Sequence, residues 1–323
     1  MIATVITGCG GMQGGPEIPD DAQTAALPKI VAHRGGTGDA PENTLEAIRL
    51  ALANRADVVW LTVQLSGDGV PVLYRPTDLS ALTDASGPVS ARSAAELAQV
   101  NAGWTFRRAA DAGGSGGSAN GPAGGDAYPY RAHPVGIPRL RDALRAIPAS
   151  IPVILDMKAL PAEPQAAAVA QVLTEENAWS RVTLYSTEAD YQRAFAAYPQ
   201  ARLFESRDAT RTRLVRVLLN EGCVEPPASG TSAAFEMHRA VTVVEKFTLG
   251  EGQSGVNATL WTPETVACFR RHPDVHIVAI AVNDAADYRR AACLGIDAVL
   301  ADSPQKMTAV RRAALPLRCE VGG

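Results

Sequence analysis

The sequence predicts an α/β fold, a closed (β/α)8 TIM barrel, and three observations support this prediction. From Lys29 onward, short apolar runs typical of strands alternate with helical patterns of about ten residues. Seven or eight such units follow one another in a chain of 323 residues, and such barrels commonly need about 250 residues. No glycine-rich phosphate loop follows the first strand in the dinucleotide-binding manner. An open doubly wound sheet is the alternative.

The elements follow in chain order. The first half predicts a strand at 29–33, a helix at 43–54, two strands around a turn at 57–74, and short helices at 93–100 and 137–148. The second half predicts strands at 151–158, 181–186, 201–205, 275–282 and 296–302, each followed by a helix. Residues 223–260 carry no clear pattern.

The predicted barrel spans residues 29–315 and leaves three segments outside its core. Residues 1–28 read as a signal-like leader and a polar tether rich in Gly and Pro. Residues 112–126 are so rich in Gly, Ser and Asn that a flexible surface loop is expected. Residues 316–323 form a short C-terminal tail.

Composition excludes several classes of protein. A hydrophobic content of 46% with 20% charged residues is that of a globular protein. The net charge of −4 gives no excess of Lys and Arg for phosphate backbones, so we expect neither a nucleic-acid partner nor general binding to charged membrane surfaces. No apolar run reaches the roughly 18 residues that span a bilayer.

Of the five cysteines, one lies in a recognisable sequence motif and four do not. Cys223, Cys268, Cys293 and Cys319 lie far apart without a CxxC pair, so we expect buried or idle thiols. Cys9 ends the sequence Val-Ile-Thr-Gly-Cys, which resembles a bacterial lipobox whose cysteine is lipidated. Few residues precede it, fewer than a secretory signal needs, and an upstream start would supply the rest. We expect a lipid-anchored protein on the periplasmic side of a bacterial envelope; an unstructured cytoplasmic leader is the alternative.

In a barrel, functional groups lie at the C-terminal ends of strands. The strand ends of this chain carry polar, charged and aromatic candidates, namely His33, Arg34, Trp60, Thr62, Arg75, Asp156, Lys158, Tyr185, Ser186, Glu205, Asn283, Asp284 and Asp302. Asp156 and Lys158 stand two residues apart and therefore lie on one face of their strand.

These positions carry a specific resemblance. The stretch "VAHRGGTGDAPENTLEAI" is similar to the opening signature of the glycerophosphodiester phosphodiesterase family, and the likeness continues in order over about residues 29–310, more weakly at 205–260. Members of that family are (β/α)8 barrels that hydrolyse glycerophosphodiesters to an alcohol and glycerol 3-phosphate with a bound Ca²⁺ or Mg²⁺. The resemblance therefore implies phosphoric diester hydrolysis in glycerophospholipid metabolism.

Some family roles map onto matching residues. By resemblance, His33 is one of two histidines that transfer protons, Arg34 is the motif arginine and Lys158 the site lysine. Glu42 and Asp156 match acidic residues of the metal site, with Asp156 standing where the family has Glu.

Other family roles fall on changed residues. The Glu-x-Asp metal pair falls on Trp60 and Thr62, and the second histidine falls on Arg75. Where the family tends to have Trp-Thr-Val-Asn, residues 280–283 read Ile-Ala-Val-Asn.

The departures argue against the family's metal-dependent catalysis. Ca²⁺ and Mg²⁺ need several oxygen ligands, chiefly carboxylates, and Trp60 offers none. Arg75 remains cationic, so it repels a metal and cannot act as a general acid or base. We expect no cofactor, and a pocket in which Arg34, Arg75 and Lys158 bind the phosphate of a small ligand or glycerophosphodiester. The alternatives are a family phosphodiesterase with lost or impaired catalysis and a non-catalytic envelope protein that binds a phosphorylated ligand or a protein.

Overall fold

The computed structural model describes residues 26–107, 127–248 and 250–319. The strands are β1 (Lys29–His33), β2 (Val58–Leu65), β3 (Pro71–Leu73), β4 (Val153–Met157), β5 (Val182–Tyr185), β6 (Ser232–Glu236), β7 (His238–Phe247), β8 (Gly250–Thr259), β9 (His276–Ile280) and β10 (Ala298–Ala301). The helices are α1 (Leu45–Ala53), α2 (Ala94–Leu97), α3 (Pro129–Ala132), α4 (Leu140–Ala146), α5 (Ala162–Glu175), α6 (Asp190–Ala194), α7 (Arg207–Leu218), α8 (Pro263–Phe269), α9 (Ala285–Cys293) and α10 (Pro304–Ala313).

Seven strands form one parallel sheet in the order β5-β4-β2-β1-β10-β9-β6. Two isolated parallel bridges complete the ring, because Leu203 pairs with Leu184 of β5 and Phe204 pairs with Ser232 of β6. Residues 203–204 thus act as the eighth strand of the barrel. The predicted (β/α)8 fold is confirmed.

The strands alternate between an inner and an outer face. The residues that pack inside the barrel include Val31, Trp60, Ile154, Tyr185, Phe204, Ala234, Val278 and Leu300. The outward side chains form two larger clusters with the surrounding helices, one around β2, β4 and β5 and the other around β6 and β9. Strands buried on both faces explain why their sequences are continuously apolar.

The segment without a clear pattern contains β6 and an antiparallel hairpin. Strands β7 and β8 pair from His238 with Thr259 to Phe247 with Gly250, outside the barrel sheet. The hairpin follows β6 and therefore leaves the barrel at the C-terminal end of its strands.

The expectation of idle thiols is wrong. Two disulfides link Cys223 to Cys268 and Cys293 to Cys319. The cysteines of each pair are far apart in sequence, so their spacing did not indicate the pairing. They meet because folding places the segment after α7 beside α8, and α9 beside the chain end. The predicted flexible loop at 112–126 and the predicted lipidation site Cys9 lie outside the described residues. None of the helices in the described residues has the length and apolar character needed to cross a membrane.

Candidate functional site

The C-terminal mouth of the barrel gathers the ionisable residues that follow the inward-facing positions. His33 stands two residues after the interior Val31, and Asp156 two after the interior Ile154. Thr62 pairs with Asp156 across β2 and β4, so these two side chains lie on the same face.

The segment after β1 brings the first ion pair to the mouth. Arg34 adopts a left-handed φ of 50°, and its Nη1 donates to Glu42 Oε2 at 2.5 Å. The Asn43 N–H donates to the Arg34 carbonyl at 2.7 Å, which fixes the intervening loop. The Asn43 Oδ1 in turn accepts the backbone N–H of Thr62 at 2.8 Å. The loop is therefore bound to both β1 and β2.

The second ion pair comes from a single strand end. Lys158 Nζ lies 3.1 Å from Asp156 Oδ1, an ion pair without the alignment of a hydrogen bond, and donates to Thr187 Oγ1 at 3.2 Å. Burial raises the pKa of Asp156, while the Lys158 ammonium and then the charges of Arg34 and His33 oppose the rise. Lys158, Arg34 and His33 therefore all act electrostatically on the Asp156 carboxylate.

His33 has its own carboxylate partner. Its Nδ1 lies 2.6 Å from Oδ1 of Asp302, the residue that directly follows β10. The Asn283 Nδ2 donates to Asp302 Oδ2 at 2.8 Å, and the Asp302 N–H donates to Asn283 Oδ1 at 2.8 Å. The hydrogen bond to His33 is the main cause that lowers the pKa of Asp302.

An aromatic cluster closes the barrel beneath these polar groups. The ring of Trp60 is buried, with its centroid 4.8 Å from that of Tyr185 and 6.0 Å from that of Phe204. The indole therefore packs as a core side chain at the position where the family pattern has a carboxylate.

Arg75 does not join the other predicted site residues. Its side chain is exposed and makes no ion pair or hydrogen bond with the described residues, although its carbonyl accepts from Gln64 Nε2 at 3.0 Å. The structure thus brings together His33, Arg34 and Lys158 with their carboxylates, and it leaves Arg75 outside that set of contacts.

The structure also adds polar residues that the sequence patterns did not single out. Arg207, at the start of α7, donates to Glu236 at 2.5 and 2.7 Å and to the Tyr185 hydroxyl at 3.1 Å. Its guanidinium lies over the Phe235 ring, 4.3 Å from the centroid. The helix expected after the strand at 201–205 gave no reason to single out Arg207, and Glu236 fell in the segment without a pattern.

The side chains at the mouth do not fit a Ca²⁺ or Mg²⁺ ion. Four buried side-chain atoms of the described residues lack a hydrogen-bond partner, and all four belong here: Glu42 Oε1, Asn43 Nδ2, Thr62 Oγ1 and Asp156 Oδ1. Two are carboxylate oxygens of groups that are ion-paired with Arg34 or Lys158, and one is the neutral Thr62 hydroxyl. Trp60, at the remaining ligand position of the family pattern, supplies no oxygen. The amide nitrogen can only donate. Within the described ranges, no three His, Cys, Asp or Glu side chains are grouped to hold a metal.

Comparisons with known proteins agree with this architecture. The model of the glycerophosphoryl diester phosphodiesterase family matches residues 33–306. The uncharacterized protein Rv2277c of Mycobacterium tuberculosis is 47% identical over 277 residues, which are 86% of this chain and 87% of that protein. The crystal structure of its glycerophosphoryl diester phosphodiesterase domain superposes with a TM-score of 0.78 at 45% identity, covering 88% of this chain and all of that domain.

A more distant structure shares the fold. It is a phosphodiesterase of Oleispira antarctica in complex with its product sn-glycerol-3-phosphate, with a TM-score of 0.61 and 22% identity, covering 88% of this chain and 97% of that one.

Proposed function

The chain belongs to the glycerophosphoryl diester phosphodiesterase family, and from this premise we propose that its barrel mouth binds a small phosphorylated ligand without a divalent metal. The ligand is a glycerophosphodiester or its phosphomonoester product. Metal-dependent hydrolysis is lost or strongly impaired. The observation that carries the proposal is that buried Trp60 and Thr62 stand where the family pattern has two metal carboxylates. The two retained carboxylates, Glu42 and Asp156, are paired with Arg34 and Lys158.

The charge balance favours phosphate over a dication. Glu42 and Asp156 are each paired with a cation of the chain, so a divalent ion gains little attraction from them and meets two cations at close range. A phosphate, by contrast, is attracted by the same two cations, Arg34 and Lys158. Arg34 uses one nitrogen on Glu42, and the other N–H groups of its guanidinium suit phosphate oxygens. The His33 Nε2 can add a third contact.

The same arrangement is poor for hydrolysis. In the family pattern a metal neutralises the phosphoryl charge and a second histidine completes proton transfer. Here Trp60 and Thr62 replace the metal carboxylates, and Arg75, at the second-histidine position, is exposed and cannot exchange protons. Only His33 is left among the proton-transfer residues implied by the family resemblance.

We also propose that the protein works on the periplasmic side of a bacterial envelope, anchored through a lipid on Cys9. The Ile6-Thr7-Gly8-Cys9 sequence supports this location. Two disulfides support it independently, because structural disulfides persist in oxidising compartments and are rare in the cytosol.

Calorimetry on the full chain tests the ligand proposal. Glycerol 3-phosphate and glycerophosphocholine should bind with the same affinity in EDTA and in Ca²⁺. Lys158→Ala should weaken binding by about 10-fold or more, since a charged hydrogen bond contributes about 1.5–3 kcal/mol. Lys246→Ala is the control, because it removes the same charge from an exposed hairpin residue.

Two outcomes contradict the proposal. One is tight, stoichiometric binding of Ca²⁺ to the natural protein. The other is metal-dependent turnover of glycerophosphocholine at ordinary enzyme rates, of order 1 s⁻¹ or more.

A further inference from the structure

We infer that Asp302 is a positioning residue for His33: it holds the proton on Nδ1 and leaves Nε2 as the atom that meets the ligand. The inference deepens the proposed function, since it concerns the same mouth. It rests on the geometry of three side chains from three neighbouring barrel segments, β1, β9 and β10.

The backbone sets the two side chains against each other. Strands β1 and β10 are parallel neighbours, with Ala32 paired to Ala301. His33 and Asp302 are the next residues along each strand, and they follow the interior Val31 and Leu300 by two positions. Both side chains therefore leave their strands toward the mouth.

Asp302 has little freedom to turn away. Asn283 receives the Asp302 N–H on its Oδ1, so its Nδ2 must be the atom that donates to Asp302 Oδ2. This two-point contact orients the carboxylate and leaves Oδ1 for His33 at 2.6 Å. The Gly38 N–H also donates to the Asp302 carbonyl at 2.8 Å, which joins the loop after β1 to the end of β10.

The hydrogen bond fixes the tautomer of the imidazole. An ionised carboxylate only accepts, so the ring nitrogen 2.6 Å away must carry the proton. The lowered pKa of Asp302 agrees with its being ionised. Neutral His33 therefore carries its proton on Nδ1, whereas a free imidazole prefers Nε2. Nε2 is then the basic atom, and once protonated it donates to a phosphate oxygen.

Nitrogen-15 NMR of the histidines in the full chain tests this inference without any ligand. The chain has five histidines, and His33→Gln assigns the signals of His33. At a pH where the ring is neutral, Nδ1 should resonate in the protonated range and Nε2 in the unprotonated range. In Asp302→Asn, whose amide can donate to Nδ1, the two ranges should exchange.

The matched control is a second His–Asp pair at the base of the hairpin. His238 Nε2 lies 2.8 Å from Asp287 Oδ1 and its Nδ1 lies 3.0 Å from Thr259 Oγ1. Asp287→Asn should alter the signals of His238 and leave those of His33 unchanged, and Asp302→Asn should do the reverse.

The outcomes separate this inference from the proposed function. A His33 that carries its proton on Nε2 in the natural protein overturns the inference even where Asp302→Asn fails to fold. A folded Asp302→Asn with unchanged His33 tautomer also overturns it. With the tautomer as expected, absence of glycerol 3-phosphate binding defeats only the proposed function. Where binding occurs, Asp302→Asn should weaken it at least several-fold.

Discussion

Arg34 and Lys158 each lie against a carboxylate that the family pattern assigns to a metal site. The family pattern has the same arginine and lysine, so the difference at this mouth is the loss of the two carboxylates at Trp60 and Thr62, which removes two negative charges beside these cations. Trp60 adds a steric reason, because its indole packs into the barrel interior against Tyr185. Charge and packing both change at one place, so restoring a single ligand leaves the rest of the arrangement in force.

Restoring the whole set should return metal-dependent chemistry. The triple variant Trp60→Glu, Thr62→Asp, Arg75→His supplies the two metal carboxylates and the second imidazole. Removing the buried indole costs about 3–5 kcal/mol, and burying new carboxylates adds to that cost. The variant should melt at a lower temperature than the natural protein. Ca²⁺ should raise that temperature because it binds only the folded state. Metal-dependent turnover of bis(p-nitrophenyl) phosphate should then be detectable, since a placed proton donor contributes about 10²–10⁴ in rate.

Arg75→His alone is the control for the triple variant. The residue is exposed, so the substitution should leave stability unchanged, and groups that act as a unit are strongly non-additive, so activity should not appear. A triple variant that folds and is stabilised by Ca²⁺ yet shows no turnover would contradict this account of the lost catalysis.

At the residue scale, the sequence predicted which residues lie at the barrel mouth better than it predicted the contacts between them. His33, Arg34, Glu42, Asp156 and Lys158 were predictable because each stands at a strand end or in a motif. Their ion pairs were not, since side-chain pairing depends on loop conformations.

The pairing of Asp302 had no local signal. Asp302 was a candidate as a strand end, but its contact with His33 joins residues 269 positions apart. The exposure of Arg75 could not be foreseen, because the path of the chain after β3 sets it.

At the element scale, the hairpin β7–β8 shows the limit of pattern analysis. A strand is recognised by alternation only when one face is buried. Strand β8 is mainly exposed along its length, and its first six residues, Gly250–Gly255, include three glycines. The sequence of β8 therefore shows no alternation of apolar and polar residues. The barrel strands β1, β4, β5, β9 and β10 were predicted close to their observed bounds, whereas β6, in the segment without a clear pattern, was missed.

The two disulfides should contribute measurably to stability. They close segments separated by 45 and 26 residues, and loops of that size correspond to about 2–4 kcal/mol each. The double variants Cys223→Ser/Cys268→Ser and Cys293→Ser/Cys319→Ser should each lower the free energy of unfolding by that amount in urea titrations. Cys9→Ser, which removes no disulfide, is the control and should have no effect. Reactive thiols at Cys223, Cys268, Cys293 and Cys319 in the natural protein, unfolded without reductant, would show that the disulfides do not form.

At the scale of the whole molecule, the barrel was predictable because alternating apolar strands and helices leave few ways to bury both faces of a parallel sheet. Closure was predicted as well, since the pattern at 201–205 indicated a strand. In the structure, isolated bridges at Leu203 and Phe204 hold this eighth strand position. The pairing of cysteines could not be derived, since it depends on how helices pack around the ring.

The location of the molecule is the last prediction. A lipid on Cys9 would hold the barrel at a membrane through the polar residues that follow, and stable anchoring requires more than one acyl chain, as in a diacylated cysteine. In a bacterial host, radiolabelled palmitate should label the natural protein, which should appear in the membrane fraction with its disulfides formed. Cys9→Ala should lose both the label and the membrane association, whereas the control Cys293→Ser/Cys319→Ser should keep the label. Label that survives Cys9→Ala would contradict the anchor at Cys9. A natural protein found in the cytoplasm with reduced thiols would contradict both the anchor and the oxidising compartment inferred from Cys223–Cys268.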